Sequence, residues 1–194
     1  MLGALPVLVV AATARELAAD LPCATLLCGV GPVEAAARTA AAIAQHRPKA
    51  VLHVGIAGAR RAAGIAAGSL VIGTAARYSD LVLVSDLAPR ELRADVALLA
   101  AAQRALPTAL AMPIATSARV GGGVGGSAEC DVEAMEGFAV LRAAQLAGVP
   151  ALELRAISND VEETDRARWH FDAAFAAITA VTPRVLEEIA ACVR

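Results

Sequence analysis

Asp131-Val-Glu-Ala-Met-Glu-Gly137 and, after a helical stretch, Val149-Pro-Ala-Leu-Glu-Leu-Arg-Ala-Ile-Ser-Asn-Asp160 form the segment around which the chain is organised. The first part reads as an acidic loop opening an Ala-rich helix. The second reads as a turn followed by a buried strand that ends abruptly in polar groups. Open α/β sheets place their chemistry at such strand ends. Glu133 and Glu136 precede the helix, and Ser158, Asn159 and Asp160 leave the strand.

Working outward, positions 6–11 are a continuous apolar run, the pattern of a strand covered on both faces. Thr13 then caps a short helix carrying Arg15, Glu16 and Asp20. A second strand over 25–28 enters Gly29-Val-Gly-Pro32 and a helix over 33–45. Glycines between strand and helix permit close backbone approach to a ligand, but Glu34 opposes a dinucleotide pyrophosphate. A third strand over 50–55 closes in Gly55-Ile-Ala-Gly-Ala59, with His53 read as a core residue. Gly58 lies in this turn, whose glycines either free amides for a ligand or permit a tight bend.

Further on, 68–76 and 81–84 read as strands and 95–106 as an amphipathic helix ended by Pro107. Positions 109–117 read as a strand that Pro113 pushes toward an edge or a bulge. The glycine run 121–126 lacks the Lys-Ser/Thr ending of a P-loop and reads as a flexible loop near the site. In the last region the aromatics around Trp169 read as packing, before an Ala-rich helix broken or restarted at Pro183. Strands alternating with helices predict one α/β domain over 1–194, a mixed, mostly parallel central sheet flanked by helices.

With 194 residues, 58% of them hydrophobic and 19% charged, the chain has material for a sizeable core. A net charge of −2 without a basic run excludes a nucleic-acid partner, and the apolar start is too short for a spanning helix, so no membrane is expected. Cys23, Cys28, Cys130 and Cys192 have no metal-ligand spacing and read as reduced thiols, which makes the cytoplasm the expected compartment.

The sequence resembles the nucleoside phosphorylase and nucleosidase superfamily, and within it the futalosine hydrolases of menaquinone biosynthesis. The resemblance is carried by Val9-Val-Ala-Ala-Thr13, Gly29-Val-Gly-Pro-Val-Glu-Ala-Ala36, His53-Val-Gly-Ile-Ala-Gly-Ala59, Val132-Glu-Ala-Met-Glu-Gly137 with Arg155-Ala-Ile-Ser-Asn159, and Asp165-Arg-Ala-Arg-Trp169. It implies hydrolysis of the N-glycosidic bond of futalosine, releasing hypoxanthine, without metal or organic cofactor.

The resemblance also implies roles. Glu136 clamps the ribose hydroxyls and stabilises an oxocarbenium-like sugar, and Met135 packs under it. Asn159 stands where adenine-releasing relatives carry an aspartate. Its amide can donate to the carbonyl of a 6-oxopurine and accept from the adjacent ring N–H, which matches hypoxanthine. Asp160 is the carboxylate that a one-residue shift would put in that place, restoring the adenine reading. Related phosphorylases carry a serine and an arginine where Ile56 and His53 stand, so water is favoured over phosphate as the nucleophile. Related nucleosidases activate that water with a first-loop glutamate. By direct counting Arg15 falls on its place, and Glu16 is the nearby candidate, with Thr13 as a further holder of the water.

Phe138 is the candidate for stacking on the purine. The far end of futalosine carries an aromatic carboxylate, for which Arg77, Arg119 and Arg168 are available without assignment. A homo-oligomer acting on a small nucleoside is implied. The other readings are a methylthioadenosine/adenosylhomocysteine nucleosidase, a phosphate-dependent purine nucleoside phosphorylase, and a catalytically silent purine-nucleoside sensor.

Overall fold

Alternation along buried strands decides which helix each strand residue meets. A computed structural model of the chain describes residues 5–81, 87–119 and 130–193. In β1 (Leu5–Ala11), Val7, Val9 and Ala11 join one core cluster, while Leu8 and Val10 join another. The same alternation runs through β3 (Ala50–Ala59) and β8 (Ala151–Asp160), whose Leu52, Val54, Leu152 and Leu154 all belong to the first cluster. That cluster packs against α2 (Val96–Ala105) and α4 (Phe171–Cys192). The second packs against α1 (Pro32–His46) and α3 (Gly137–Leu146).

The remaining strands are β2 (Cys23–Leu27), β4 (Leu70–Tyr78), β5 (Glu91–Arg93), β6 (Leu110–Thr116) and β7 (Val132–Ala134). All belong to one 8-stranded sheet in the order β2-β1-β3-β7-β6-β4-β5, with β8 paired to both β3 and β4. The α/β class and the mixed sheet expected from sequence are present, but the sheet is not open. The strands β3, β7, β6, β4 and β8 close into a ring, because β8 joins β3 in parallel on one edge and β4 antiparallel on the other. The length of β3 makes this possible. Its first half pairs with β1 and its last residues, Gly58 and Ala59, pair antiparallel with β7.

Other expectations are corrected locally. The acidic segment before α3 is in part a strand, β7, and not simply a loop. Helix α4 runs through Pro183 without a break. Two nearby threonines, Thr179 and Thr182, donate their hydroxyls to the carbonyls of Phe175 and Ile178, each at 2.7 Å, keeping polar groups satisfied in the turns around the proline. Pro113 does sit at a bulge, where the register between β4 and β6 slips. The strand expected over 81–84 and the glycine run 121–126 lie outside the described residues, apart from Leu81 itself, which is not in a strand.

Helix α2 begins at Asp95, whose carboxylate accepts from the amides of Ala97 and Leu98. All four cysteines are free thiols, and burial pushes Cys23 up to about 11 and Cys28 up to about 12. No helix among the described residues is long and apolar enough to cross a membrane.

Candidate active site

Because β1, β2, β3 and β8 run parallel, their carboxyl ends share one edge of the sheet, and a cleft of about 510 Å³ opens there. Each strand end contributes to its lining. Ala12, Thr13, Arg15 and Glu16 follow β1, Val30 follows β2, Ile56 and Gly58 belong to β3, and Ser158 and Asn159 belong to β8. Met135 and Glu136 enter from the junction of β7 and α3.

Glu16 turns inward and is 4% exposed. It ends the single 3-10 turn Ala14–Glu16, and its Oε2 accepts from the Thr13 amide at 2.7 Å and the Thr13 hydroxyl at 2.9 Å. Its Oε1 accepts from the Ile56 amide at 3.1 Å. The guanidinium of Arg15, which also lines the cleft, reaches Asp172 at 2.8 Å on the surface. The acid that lines the floor is thus one position later than direct counting places it.

Glu136 is held by two elements at once. Its Oε1 accepts from the Gly31 amide at 3.0 Å, and its Oε2 lies 3.4 Å from Nη2 of Arg155. The glycine turn after β2 therefore spends an amide on this carboxylate and not on a ligand oxygen. Burial raises Glu136 above the ordinary carboxylate range against the pull of Arg155 and the Gly31 amide, with Glu16 adding to the rise.

Behind the cleft floor lies a buried charge cluster that the sequence reading did not assign. Arg155 is 0% exposed, donates from Nε to Oε1 of Glu153 at 2.8 Å, and places Nη2 3.3 and 3.2 Å from the two ring nitrogens of His53. Burial works against its charge, but Glu153, Glu136 and Glu16 together outweigh that and raise its pKa. Burial first and Arg155 second hold His53 well below the usual histidine range, so it is a neutral core residue, as read from sequence. Space for this cluster comes from two glycines. A Cβ on Gly55 would collide with Nη1 of Arg155, and one on Gly137 would collide with the carboxylate of Glu153.

Asn159 is 9% exposed. Its Oδ1 accepts from the Ser158 hydroxyl at 2.7 Å, and its Nδ2 donates to the Asp160 carbonyl at 2.8 Å. One amide hydrogen and one lone pair remain for a ligand. Gly58 packs beside it, so closely that a Cβ there would stand 3.1 Å from Nδ2.

The structure does not bring Asp160 or Phe138 into the cleft. The strand pleat turns Asp160 away from Asn159, toward Arg61, whose Nε lies 3.1 Å from Oδ2. Phe138, in the first turn of α3, joins the second core cluster and stacks on Tyr78 at 5.3 Å between ring centroids. Arg77 pairs with Glu91 and Arg168 with Glu163, while Arg119 does line the cleft. The aromatics read as packing, Trp169 with Phe171 and Phe175, line the cleft as well, as do Glu133, Val161 and Arg166.

Comparison with known proteins identifies the family and the fold. The family model described as the Phosphorylase superfamily matches residues 13–194. The futalosine hydrolase of Streptomyces coelicolor is 60% identical over 47 residues, a stretch that covers 24% of this chain and only 20% of that protein's length. Among solved structures, a 5′-methylthioadenosine/S-adenosylhomocysteine nucleosidase from S. pneumoniae superposes with a TM-score of 0.81 at 21% identity, covering 94% of this chain and 99% of that one. The futalosine hydrolase of Helicobacter pylori strain 26695 superposes with a TM-score of 0.79 at 16% identity, covering 94% and 96%. With the strand-end cleft in place and a family match running from Thr13 to the last residue, the chain belongs to the phosphorylase superfamily.

Proposed function

We propose that the protein hydrolyses the N-glycosidic bond of a 6-oxopurine nucleoside, with futalosine as substrate and hypoxanthine as the released base. The observation that carries this reading is the convergence of Glu16, Glu136 and Asn159 on one cleft of nucleoside size. The partial likeness to a futalosine hydrolase supports it.

The chemistry follows from the free valences. When ionised, Glu136 retains lone pairs on both oxygens beyond those facing Gly31 and Arg155, enough to accept from two ribose hydroxyls. Its charge stabilises the positive sugar that develops as the C1′–N9 bond breaks and the electron pair passes to the purine. Asn159 donates its free amide hydrogen to the 6-oxo group and accepts from the neighbouring ring N–H. Glu16 accepts the proton of the water whose oxygen bonds to C1′, and the departing purine anion takes a proton from solvent to leave as neutral hypoxanthine.

Water is preferred to phosphate on electrostatic grounds. Arg155, the cation behind the floor, is already paired with Glu153 and Glu136, and Glu16 and Glu136 present acceptor oxygens to the cleft, so the floor offers a phosphate little to bind. The reading places the protein in menaquinone biosynthesis, as a cytoplasmic homo-oligomer. The adenine-specific alternative is favoured by the nucleosidase neighbours but not by Asn159.

Free base is followed after incubation with futalosine, inosine and methylthioadenosine, each with and without phosphate. The expected result is hypoxanthine from futalosine in either buffer. Phosphate-dependent release, or adenine from methylthioadenosine as the main product, overturns the reading, and saturable binding without turnover indicates a sensor.

A further inference from the structure

Breaking the C1′–N9 bond leaves negative charge on the purine, and Asn159 does not match it. Its amide is neutral and has one hydrogen free, which the 6-oxo group takes. Arg155, behind the floor, is already paired with Glu153 and Glu136. A cation on the base side has to come from another part of the lining.

The strand register shows where. Asn159 of β8, Gly58 of β3, Glu133 of β7 and Ala115 of β6 are partners in one row across the sheet. Gly58 is the bare position in that row, and Asn159 and Glu133 line the cleft on either side of it. A planar base that meets Asn159 therefore lies over Gly58, with the exit of β6 on its far side.

That exit is a built turn. The Ser117 amide donates to the Ala134 carbonyl at 2.9 Å, and the Ser117 hydroxyl lies 3.3 Å from each carboxylate oxygen of Asp80. Asp80 also accepts from the Ala118 amide, and Oγ of Ser117 accepts from the Arg119 amide at 3.1 Å. Thr116 accepts from the Phe138 amide at 2.8 Å, which ties the same strand end to the first turn of α3. The side chain that this turn delivers to the cleft is Arg119.

Among the described residues, Arg15, Arg119 and Arg166 line the cleft. Arg15 is matched by Asp172 at 2.8 Å, and Arg166 lies over Trp169 and Phe171, 5.5 and 5.8 Å from the ring centroids. The guanidinium of Arg119 has no hydrogen-bond or ion-pair partner among the described residues. Phe138, the ring expected to stack on the purine, is packed in the core, so the face of the base is left to Arg119.

We propose that Arg119 is a catalytic residue that lies against the purine and stabilises the negative charge the base gains as the C1′–N9 bond breaks. The proposal rests on the nucleosidase reading and deepens it. A guanidinium is planar, weakly hydrated and permanently charged, so it stacks on a π face without losing its charge. Against the neutral base of the bound nucleoside the contact is cation–π. As the electron pair of the bond stays with N9 and spreads through the rings, the contact becomes an attraction between opposite charges. It strengthens along the reaction and so acts on kcat more than on KM. No proton leaves Arg119, and the purine anion is protonated by solvent.

Arg119→Met and Arg119→Lys are compared with the native protein on futalosine and on its N7-methylated form, whose purine carries a positive charge and departs neutral. In Arg119→Met, kcat is expected to fall about 10²-fold for futalosine and less than about threefold for the methylated form, with part of the loss recovered in Arg119→Lys. Equal losses on the two substrates would make Arg119 a structural residue and overturn the proposal, as would an unchanged kcat.

Binding is read without turnover. Trp169, the one tryptophan of the chain, lines the same cleft, so hypoxanthine is titrated against its fluorescence on either side of the pH at which the base becomes an anion. The ratio of anion affinity to neutral-base affinity is expected to be at least about tenfold higher in the native protein than in Arg119→Met. An equal ratio overturns the proposal. If no nucleoside is cleaved while the ratio still differs, the hydrolase reading falls and the cationic base site stands.

Discussion

Nε of Arg155 donates to Oε1 of Glu153 at 2.8 Å, and the two side chains are sealed from solvent on the same face of β8. Two residues apart on a strand, they point the same way, toward α3 and Glu136. The pair thereby aims the far end of the guanidinium at the proposed sugar clamp. Oε2 of Glu153 has no hydrogen-bond partner among the described residues, so the carboxylate is spent on Arg155 alone. Glu153→Ala is expected to lower stability by up to about 3 kcal/mol, the cost of removing the nearer of the two carboxylates that pair with the buried charge of Arg155. The double variant Glu153→Leu with Arg155→Met is expected to recover most of that stability in urea unfolding while turnover stays low, because Glu136 has lost its support. Recovery of stability and activity together would show that the pair serves folding alone.

His53 gives the stability of the fold a pH dependence of definite sign. Its folded pKa lies well below the ordinary 6.5, so below about pH 6.5 the unfolded chain binds a proton that the folded chain does not. Stability from this residue is therefore complete above that pH and is lost as pH falls, by up to about 1.4 kcal/mol per pH unit. Glu136 and Glu153 have the opposite sign. Their carboxyls are raised by burial, so the folded chain holds protons that the unfolded chain has released above about 4.5, and their effect is to favour the fold as pH falls. His53→Gln isolates the imidazole. The free-energy difference between native protein and variant is expected to shrink by roughly 1 kcal/mol from pH 7.5 to pH 5.5, and a constant difference would show that His53 keeps an ordinary pKa.

Glu16→Gln preserves the size of the group but cannot take a proton, and its one oxygen keeps acceptance either from Thr13 or from the Ile56 amide, since these donate to different oxygens of Glu16. If Glu16 activates the water, kcat falls about 10²-fold or more while KM for the nucleoside changes little. Circular dichroism checks that the fold is intact. Near-native turnover would assign the water to another group.

Much of this was legible in the sequence because strand ends and glycine turns are local signals. The placement of Glu136 and Asn159 in one cleft follows from the two segments that bracket α3. The buried cluster was less visible, yet its signal was present. Leu152-Glu-Leu-Arg-Ala156 alternates charge with apolar residues inside a strand otherwise patterned for full burial, which puts Glu153 and Arg155 on one hidden face. Glu16 was among the sequence candidates although direct counting lands on Arg15, because a single 3-10 turn, and not a regular helix, carries the acid. The ring closure was not readable, since it depends on β3 exchanging β1 for β7 along one edge. The aromatic wall was readable only in hindsight. Phe171 and Phe175 stand four apart on α4 and so share a helix face, but nothing local says that the face meets a cleft.

In the proposed reading, the base preference turns on a single atom, Nδ2 of Asn159. In Asn159→Asp the Ser158 hydroxyl still has an oxygen to donate to, but the atom facing the Asp160 carbonyl at 2.8 Å becomes an acceptor. Two acceptors at that distance repel, so the new carboxyl must turn or hold a proton there. A proton held on that carboxyl also equips it to donate to the imidazole side of a departing adenine, while an ionised one meets the 6-oxo group lone pair to lone pair. Hypoxanthine release is thus expected to fall about 10–100-fold, the effect of one unsatisfied polar contact, and adenine release from methylthioadenosine to rise. Measuring both bases for both substrates in the native protein and the variant gives the ratio directly. A ratio that does not move would mean that Asn159 faces the base without reading it, and that purine choice is made elsewhere in the cleft.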